Sequence, residues 1–320
     1  MTDEVRRGVR ILDDTAPAGR RTLLGLAYRM LGSLHDAEDV VQEAYSRWYA
    51  MAERERRDIR SPIAWLSRVT SRICLDHLMS ARVRREHYVG EWIPEPLRDH
   101  GAWTSAAGLV DDPADRMTLR ESVSMGMLTV LETITPAERV VFVLHDVFGM
   151  PFTEIAEVAG RSPAACRQLA VSARRRLAGE RARPASDVER HREVISAFRR
   201  ACESGDINAL VATLDHGVVV HSDGGGRAHA ALRPVVGAQK AARLFLGLLR
   251  KQPGMEFSGE DVNGRPGAVI RRGGVTVAVI ATETRGEVLT RMWMVVNPDK
   301  LHAWTGQGAG RTTRGLPSGS

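Results

Sequence analysis

The side chains best suited to bind a charged partner are concentrated in residues 161–183, which hold seven Arg and one Glu. This segment has a net charge of +6, as does the whole chain of 320 residues, so the remainder is close to neutral. Guanidinium groups bind phosphate, and Arg and Gln side chains hydrogen-bond to base edges in the DNA major groove. A basic stripe of this kind indicates contact with a nucleic-acid backbone.

Local signals in residues 149–177 predict two helices joined by a sharp turn. Gly160 supplies the positive φ that the turn requires, and Ser162-Pro163 begins the second helix. Apolar residues at helical spacing form the inward faces, which leaves a polar outward face on the second helix. That face comprises Ser162, Ala164, Arg167, Gln168, Val171, Arg174, Arg175 and Arg176. We predict a helix-turn-helix in which Arg167 and Gln168 contact bases and Arg174–Arg176 contact phosphates; the alternative is an ordinary helical hairpin with a solvated basic face.

Composition suits a folded protein of two or three domains, since hydrophobic residues make up 43% of the chain. The N-terminus lacks the apolar segment of a signal peptide, and no apolar run approaches the ~20 residues of a membrane span. We therefore expect a cytoplasmic protein with no membrane partner. Cys74, Cys166 and Cys202 are far apart and lack metal-ligand spacing, so we predict no disulfide, metal site or cofactor.

Two helices of opposite charge are predicted within residues 20–88. The first has an apolar face and an opposite polar face formed by Asp36, Glu38, Asp39, Gln42 and Glu43. The second begins at Ser61-Pro62 and carries Arg68, Arg72, Arg82, Arg84 and Arg85. Taken alone, the acidic face is typical of a solvated helix side.

The second half of the chain has a different pattern. Helical segments in residues 188–252 are followed by strand-like runs at Met255–Val262, Ala268–Arg272, Val275–Thr284, Val288–Val296 and Leu301–Trp304, with an earlier one at Val218–Ser222. Turn signals such as Asn263-Gly264 separate them. This order predicts an α+β domain with one curved antiparallel sheet. The expected divisions are an N-terminal segment 1–19, helical domains 20–88 and 114–183, a linker 89–113, the α+β domain 188–305 and a disordered tail 306–320.

These segments resemble known families. Residues 23–48 and 65–86 resemble region 2 of bacterial sigma factors of the extracytoplasmic-function class, and residues 135–177 resemble region 4. The second half is similar to the SnoaL-like cone fold. Three short motifs, WIPEP (92–96), DGGGR (223–227) and NPDKL (297–301), resemble those of the sigma subgroup with a SnoaL-like C-terminal extension. The resemblance implies two all-α sigma domains followed by an α+β cone.

The resemblance also implies partners. It assigns the acidic face around Asp39 to binding of RNA polymerase core, the basic helix of residues 65–85 to the −10 promoter element, and the helix-turn-helix to the −35 element. The protein would then be an initiation factor rather than an enzyme, and its C-terminal domain would regulate it in cis.

Residues of the C-terminal domain offer little for catalysis. All four Tyr precede residue 89, His221, His229 and His302 are isolated, and Asp223 and Asp299 are expected in turns. We therefore assign no catalytic residue. The alternative is a fused domain that binds an unidentified small molecule or acts on it as an isomerase or cyclase does.

The linker keeps a large aromatic residue, which is unusual for a free segment. We expect Trp92 to dock, with its burial providing most of the contact, and Arg227 to pair with Glu95. The predicted regulatory contact comprises Trp92, Pro94, Glu95, Pro96, Asp223, Gly224, Gly225, Gly226, Arg227, Asn297, Pro298 and Asp299.

Overall fold

The computed structural model describes residues 19–85, 88–98, 123–181, 187–251 and 254–304. Most of the expected linker and the expected disordered tail lie outside these ranges. Helix α1 covers residues 19–31 and is followed by α2 (Leu34–Ala50), α3 (Glu53–Asp58) and α4 (Pro62–Arg85). Ser33 caps α2 by accepting the Asp36 N–H at 3.2 Å. None of the helices in the described ranges has the length and apolar character to cross a membrane.

A second set of helices comprises α5 (Met125–Leu131), α6 (Pro136–Phe142), a π-helical turn (Val143–Val147), α7 (Phe152–Ala159) and α8 (Pro163–Arg181). Thr135 and Glu138 form a capping box at the start of α6. Buried apolar residues of both helical sets belong to one cluster, which extends from Leu23 in α1 to Leu177 in α8. The two helical domains therefore pack directly on each other.

The C-terminal domain combines three helices and six strands. They are α9 (Val188–Ser204), α10 (Ile207–Ala212), β1 (Leu214–Asp223), β2 (Val235–Val236), α11 (Ala238–Lys251), β3 (Met255–Val262), β4 (Arg265–Arg272), β5 (Val275–Arg285) and β6 (Val288–Val295). The strand order is β2-β1-β6-β5-β4-β3. Four pairings are antiparallel as expected, but β1 and β6 are parallel because α11 crosses between β1 and the hairpin strands. Leu301–Trp304 is not a strand; it includes a 3₁₀ turn, His302–Trp304.

Both faces of the sheet are covered by apolar side chains. One face packs on α9 and α11, where Phe198 meets Phe245 edge-on with ring centroids 5.1 Å apart. The other face contributes Val279 and Trp293 to a separate cluster that also contains Ile93 of the linker and Met125 of α5. The C-terminal domain is thus docked on the helical part through a sheet face.

Candidate nucleic-acid interface and interdomain junction

Helix α8 presents an exposed face over its N-terminal half. Gly160 ends α7 with φ 62°, which turns the chain sharply into α8. The Ser162 hydroxyl accepts the Ala165 N–H at 3.1 Å, as an N-cap residue does. Cys166, Ala170, Ala173 and Leu177 are fully buried, while Ser162, Ala164, Arg167, Gln168 and Val171 are exposed. The exposed set therefore offers hydrogen-bonding groups with small residues beside them.

The three arginines in the middle of α8 are not equivalent. Nε of Arg174 donates to Oδ1 of Asp146 at 2.7 Å, and Nη1 of Arg176 lies 3.6 Å from a Glu138 oxygen. Arg175 is exposed and has no hydrogen bond or ion pair to any described residue. Arg175 is therefore the most available of the three for a phosphate.

Two arginines of α4 contact the C-terminal end of α7. Nη1 of Arg72 donates to the carbonyl oxygen of Val158 at 2.9 Å, and Nη1 of Arg68 lies 3.4 Å from a carboxylate oxygen of Glu157. Arg82, Arg84 and Arg85 lie in the last turns of α4, and their side chains are outside the described part of the chain.

The acidic face of α2 points away from the hydrophobic core of the helical domains. Glu38, Asp39, Gln42 and Glu43 are exposed and Asp36 is half-buried, while Ala37, Val40, Val41 and Ala44 on the opposite side are buried. His35 lies 3.7 Å from Asp39, and Arg47 pairs with Glu43, both one helical turn away. Such exposed pairs contribute little to stability, so the carboxylates remain available to a basic partner.

The linker residues Ile93–Leu97 are buried between the helical part and the C-terminal domain. A Glu95 oxygen accepts the Leu34 N–H at 2.7 Å, at the start of α2, and Tyr28 donates to the Glu95 carbonyl at 2.6 Å. Burial raises the pKa of Glu95, and the N–H groups of α2 oppose that rise. On the other side, Nε1 of Trp304 donates to the Pro96 carbonyl at 2.9 Å. We call this contact, with Asp223 and Lys300, the interdomain junction.

A buried ion pair lies at the centre of the junction. Nζ of Lys300 donates to Asp223 at 2.6 Å and also to the Ile93 carbonyl, and the Ile93 N–H donates back to Asp223 at 3.0 Å. Tyr88 donates to the second Asp223 oxygen at 2.6 Å. Burial raises the pKa of Tyr88, and its hydrogen bond to Asp223 raises it further, so the phenol remains a donor. The ammonium also lies 4.1 Å from the centre of the Trp92 ring.

Comparison with known proteins matches two parts of the chain to family models. The family models for sigma-70 region 2 and sigma-70 region 4 match residues 18–84 and 124–177. The chain is 37% identical over 294 residues to the ECF RNA polymerase sigma factor SigJ of Mycobacterium tuberculosis, across 88% of this chain and 90% of that protein. It is also 37% identical over 286 residues to the probable ECF RNA polymerase sigma factor SigI of that organism, across 89% and 92%.

This chain belongs to the ECF RNA polymerase sigma factor family. A crystal structure of the extracytoplasmic function sigma factor SigJ of M. tuberculosis matches it with a TM-score of 0.69 at 33% identity, over 91% of this chain and 98% of that chain. Helices α1–α4 lie in region 2 and α5–α8 in region 4. The sigma factor therefore directs promoter recognition in transcription initiation.

Several expectations about the junction of this sigma factor are wrong in detail. Nε of Arg227 lies 3.1 Å from Asp299, not beside Glu95, because Glu95 faces region 2. Trp92 is only half-buried, whereas the neighbouring Ile93 is 1% exposed and belongs to the apolar cluster on the sheet face. Asp223 ends strand β1 and is buried rather than lying in an open turn.

Two residues considered for chemistry also have unexpected neighbours. His221 is not isolated, since its Nδ1 lies 3.1 Å from a Glu91 oxygen and its ring stacks on Trp293. Tyr88, although it precedes the linker, contacts Asp223 of the C-terminal domain.

The DGGGR turn makes a close approach to a neighbouring motif. Gly225 has φ 57°, and a Cβ atom there would lie 2.2 Å from Nδ2 of Asn297. Nδ2 of Asn297 also donates to the Tyr88 hydroxyl at 3.0 Å. Gly225 thus accommodates a side chain of the NPDKL motif, whereas Gly226 faces the side chain of Val89.

Sequence reasoning missed Asn263, which was interpreted only as a turn residue. It is 2% exposed and hydrogen-bonds to region 2, to the linker and to Val123 beside region 4. Asn-Gly signals a hairpin turn, and nothing local in the sequence indicates what packs against the turn.

Proposed function

We propose that this sigma factor binds RNA polymerase core through the acidic face of α2 and contacts the −10 element with α4 and the −35 element with α8. The observation that supports this most is the exposure of two sets of side chains, each suited to a different partner. They are the carboxylates on α2, and Arg167 with Gln168 on α8. The first set suits basic residues of a protein partner, and the second suits base edges.

The core-binding role is tested by reversing charge on α2. We expect Asp39→Arg with Glu43→Arg to abolish co-purification with core polymerase, because both carboxylates are exposed and a basic partner would meet like charge. Glu189→Arg with Glu193→Arg, on the exposed side of α9, is the matched control. Unchanged core binding by the α2 variant, with its circular dichroism intact, would refute the assignment.

On α8, we assign base contacts to Arg167 and Gln168 and phosphate contacts to Arg174–Arg176, with Ser162, Ala164 and Val171 at the same surface. On α4, Arg68, Arg72, Arg82, Arg84 and Arg85 hold the backbone of the −10 strand. Base contacts give sequence preference, whereas phosphate contacts give affinity that falls with salt.

The C-terminal domain regulates the sigma factor in cis through the interdomain junction. Support comes from the linker, which is buried against Asp223, Lys300 and Trp304 and so cannot change its course independently of that domain. Since the linker joins regions 2 and 4, its course sets how both regions reach two promoter elements at once.

A double-mutant cycle tests this regulatory contact. Trp92→Ala and deletion of Asp223–Arg227 should each change transcription from a cognate promoter in vitro, and the double variant should be no worse than the stronger single one. The deletion removes Asp223, which accepts hydrogen bonds from Lys300 and from the Ile93 N–H. Because Lys300 also lies over the Trp92 ring, the deletion and Trp92→Ala disturb the same interdomain junction. Strictly additive effects would argue against a shared contact.

We assign no catalytic role to the C-terminal domain. Between its helices and its sheet, the rings of Phe198, Phe245 and Phe257 pack together. An unidentified small-molecule ligand is the second candidate, favoured by an open groove of about 410 Å³ between α9 and β3. The groove includes Arg192, Arg199, Phe257 and Asp261. Arg192 lies 3.4 Å from Asp261, so a charged ligand would have to compete with that pair. A shift in thermal unfolding with metabolite mixtures, lost on Arg192→Ala, would test binding there.

A further inference from the structure

Asn263 lies at the tip of the β3–β4 hairpin, yet it is almost completely buried. Its φ is 51° and that of Gly264 is 76°, and positive φ at both positions is what an Asn-Gly hairpin turn requires. Hairpin tips normally face solvent. Here Asn263 is 2% exposed because it projects into the helical part of the molecule.

Four hydrogen bonds tie Asn263 to three other segments. Its backbone N–H donates to the Leu97 carbonyl at 2.9 Å, and its Oδ1 accepts the Leu97 N–H at 3.0 Å. Its Nδ2 donates to the Tyr28 hydroxyl at 2.9 Å and to the Val123 carbonyl at 2.9 Å. Tyr28 belongs to α1 of region 2, Leu97 to the linker, and Val123 precedes α5 of region 4.

The side-chain amide has two N–H donors and one carbonyl acceptor, and all three are used. Tyr28 in turn donates its proton to the Glu95 carbonyl at 2.6 Å, so its oxygen is left to accept from Asn263. This set of bonds is complete only when region 2, the linker and the start of region 4 meet the hairpin together. Separation of any one segment would leave a buried polar group without a partner, which is costly.

We infer that Asn263 is a positioning residue that clasps region 2, the linker and the start of region 4 together, and that breaking this clasp releases the α4 arginines from α7. The contact of Arg72 with Val158 requires regions 2 and 4 to stay together, and Asn263 reaches both. The second half of the inference rests on the proposed role of α4 at the −10 element.

Asn263→Asp is the sharpest test, because it keeps the shape of the side chain, removes both Nδ2 donors and adds a buried negative charge. Asp-Gly forms the same hairpin turn, and one carboxylate oxygen still accepts the Leu97 N–H. The other oxygen replaces Nδ2 and faces the Val123 carbonyl, where acceptor meets acceptor. Asn208→Asp is the matched control, since Asn208 is exposed near the start of α10.

The experiment uses the full chain without polymerase. Hydrogen exchange is followed at the Glu95 and Leu97 amides, which bond to Gly32 and Asn263, and binding is measured to a forked DNA that carries a −10 element. We expect Asn263→Asp to speed exchange by about tenfold and to tighten forked-DNA binding severalfold, while Asn208→Asp changes neither. Tyr28→Phe keeps the ring and removes both the acceptor of Asn263 and the donor to the Glu95 carbonyl, and it should shift both measurements in the same direction.

The outcomes separate the inference from the function it builds on. Faster exchange without tighter DNA binding supports the clasp and contradicts the release of the α4 arginines. Tighter binding by Asn263→Asp that persists when Arg72→Ala is added contradicts the role of α4. Unchanged exchange in folded Asn263→Asp and Tyr28→Phe proteins overturns the clasp. Should circular dichroism show that Asn263→Asp does not fold, the Tyr28→Phe result decides alone.

Discussion

The two basic helices of this sigma factor lie in different environments, although we assign both to promoter DNA. On α8, Arg167 and Gln168 are exposed, and the Arg167 guanidinium lies 5.8 Å from the centre of the Phe152 ring. On α4, Arg72 and Arg68 already contact Val158 and Glu157. The proposed −35 surface is thus open in this arrangement, whereas part of the proposed −10 surface is occupied.

The α7 groups that contact Arg72 and Arg68 resemble a DNA phosphate in the oxygen atoms that they offer. The last carbonyls of a helix lack intrahelical partners and carry the negative end of the helix dipole. Val158 and Glu157, near the end of α7, therefore offer Arg72 and Arg68 a carbonyl and a carboxylate oxygen, much as a phosphate offers anionic oxygens. Helix α7 both supports α8 and covers α4.

The core shared by regions 2 and 4 keeps the two helices in this relation. Nη1 of Arg139 in α6 donates to the Met30 carbonyl of α1 at 2.9 Å, and the Arg29 guanidinium lies 5.6 Å from the Phe148 ring centre. Burial lowers the pKa of Arg139 to about 9. Burying a charged group is costly even when it is paired. The difference in exposure between the arginines of α4 and those of α8 therefore depends on the stability of the packing between regions 2 and 4.

Removing the buried ion pair of the junction should have the largest effect on that arrangement. Lys300→Met leaves Asp223 buried without its cation, and we expect a loss of about 3–5 kcal/mol in the free energy of unfolding, measured with urea. Lys240→Met, on the exposed side of α11, should change it by less than about 0.5 kcal/mol. Equal stability of the two variants would show that the junction does not hold the domains.

One arginine on each helix provides the next test, because Arg167 is exposed in this arrangement whereas Arg72 donates to Val158. Arg167→Ala should weaken binding of a −35 duplex by about 1–3 kcal/mol, with or without core polymerase, since Arg167 is already exposed. Arg72→Ala should not weaken −10 binding in the free protein but should reduce promoter opening in the holoenzyme. Equal losses from Arg72→Ala in both states would mean that α7 does not cover α4.

How far the sequence predicts these features depends on the range of the interactions. Gly160 and Ser162-Pro163 determine the helix-turn-helix locally, so both its helices were predicted correctly. The parallel pairing of β1 with β6 and the contact of Arg72 with Val158 join residues about 70 or more positions apart. Local propensity contains no information on such pairings, which tertiary packing decides.

Phosphate contacts on α8 should give a smaller effect that salt reveals. Arg175→Ala should reduce the slope of log affinity against log salt by about one, equally for all sequences, because Arg175 is exposed and forms no ion pair with a residue in the described ranges. Arg174→Ala should reduce the slope less, since Arg174 is held by Asp146. Equal slopes for these two variants would mean that the ion pair with Asp146 opens on DNA.

The smallest expected effect concerns the outer part of the contact between α4 and α7. Arg68 and Glu157 are 38% and 70% exposed, and exposed pairs of this kind contribute only ~0–1 kcal/mol. Glu157→Gln should therefore tighten binding of −10 DNA by the free protein by at most about fivefold, and it should have no effect in the holoenzyme. Glu154→Gln, in the first turn of the same helix, controls for the general loss of negative charge. Equal gains from both variants would assign the effect to long-range charge, and covering of α4 would then depend on the Arg72 bond alone.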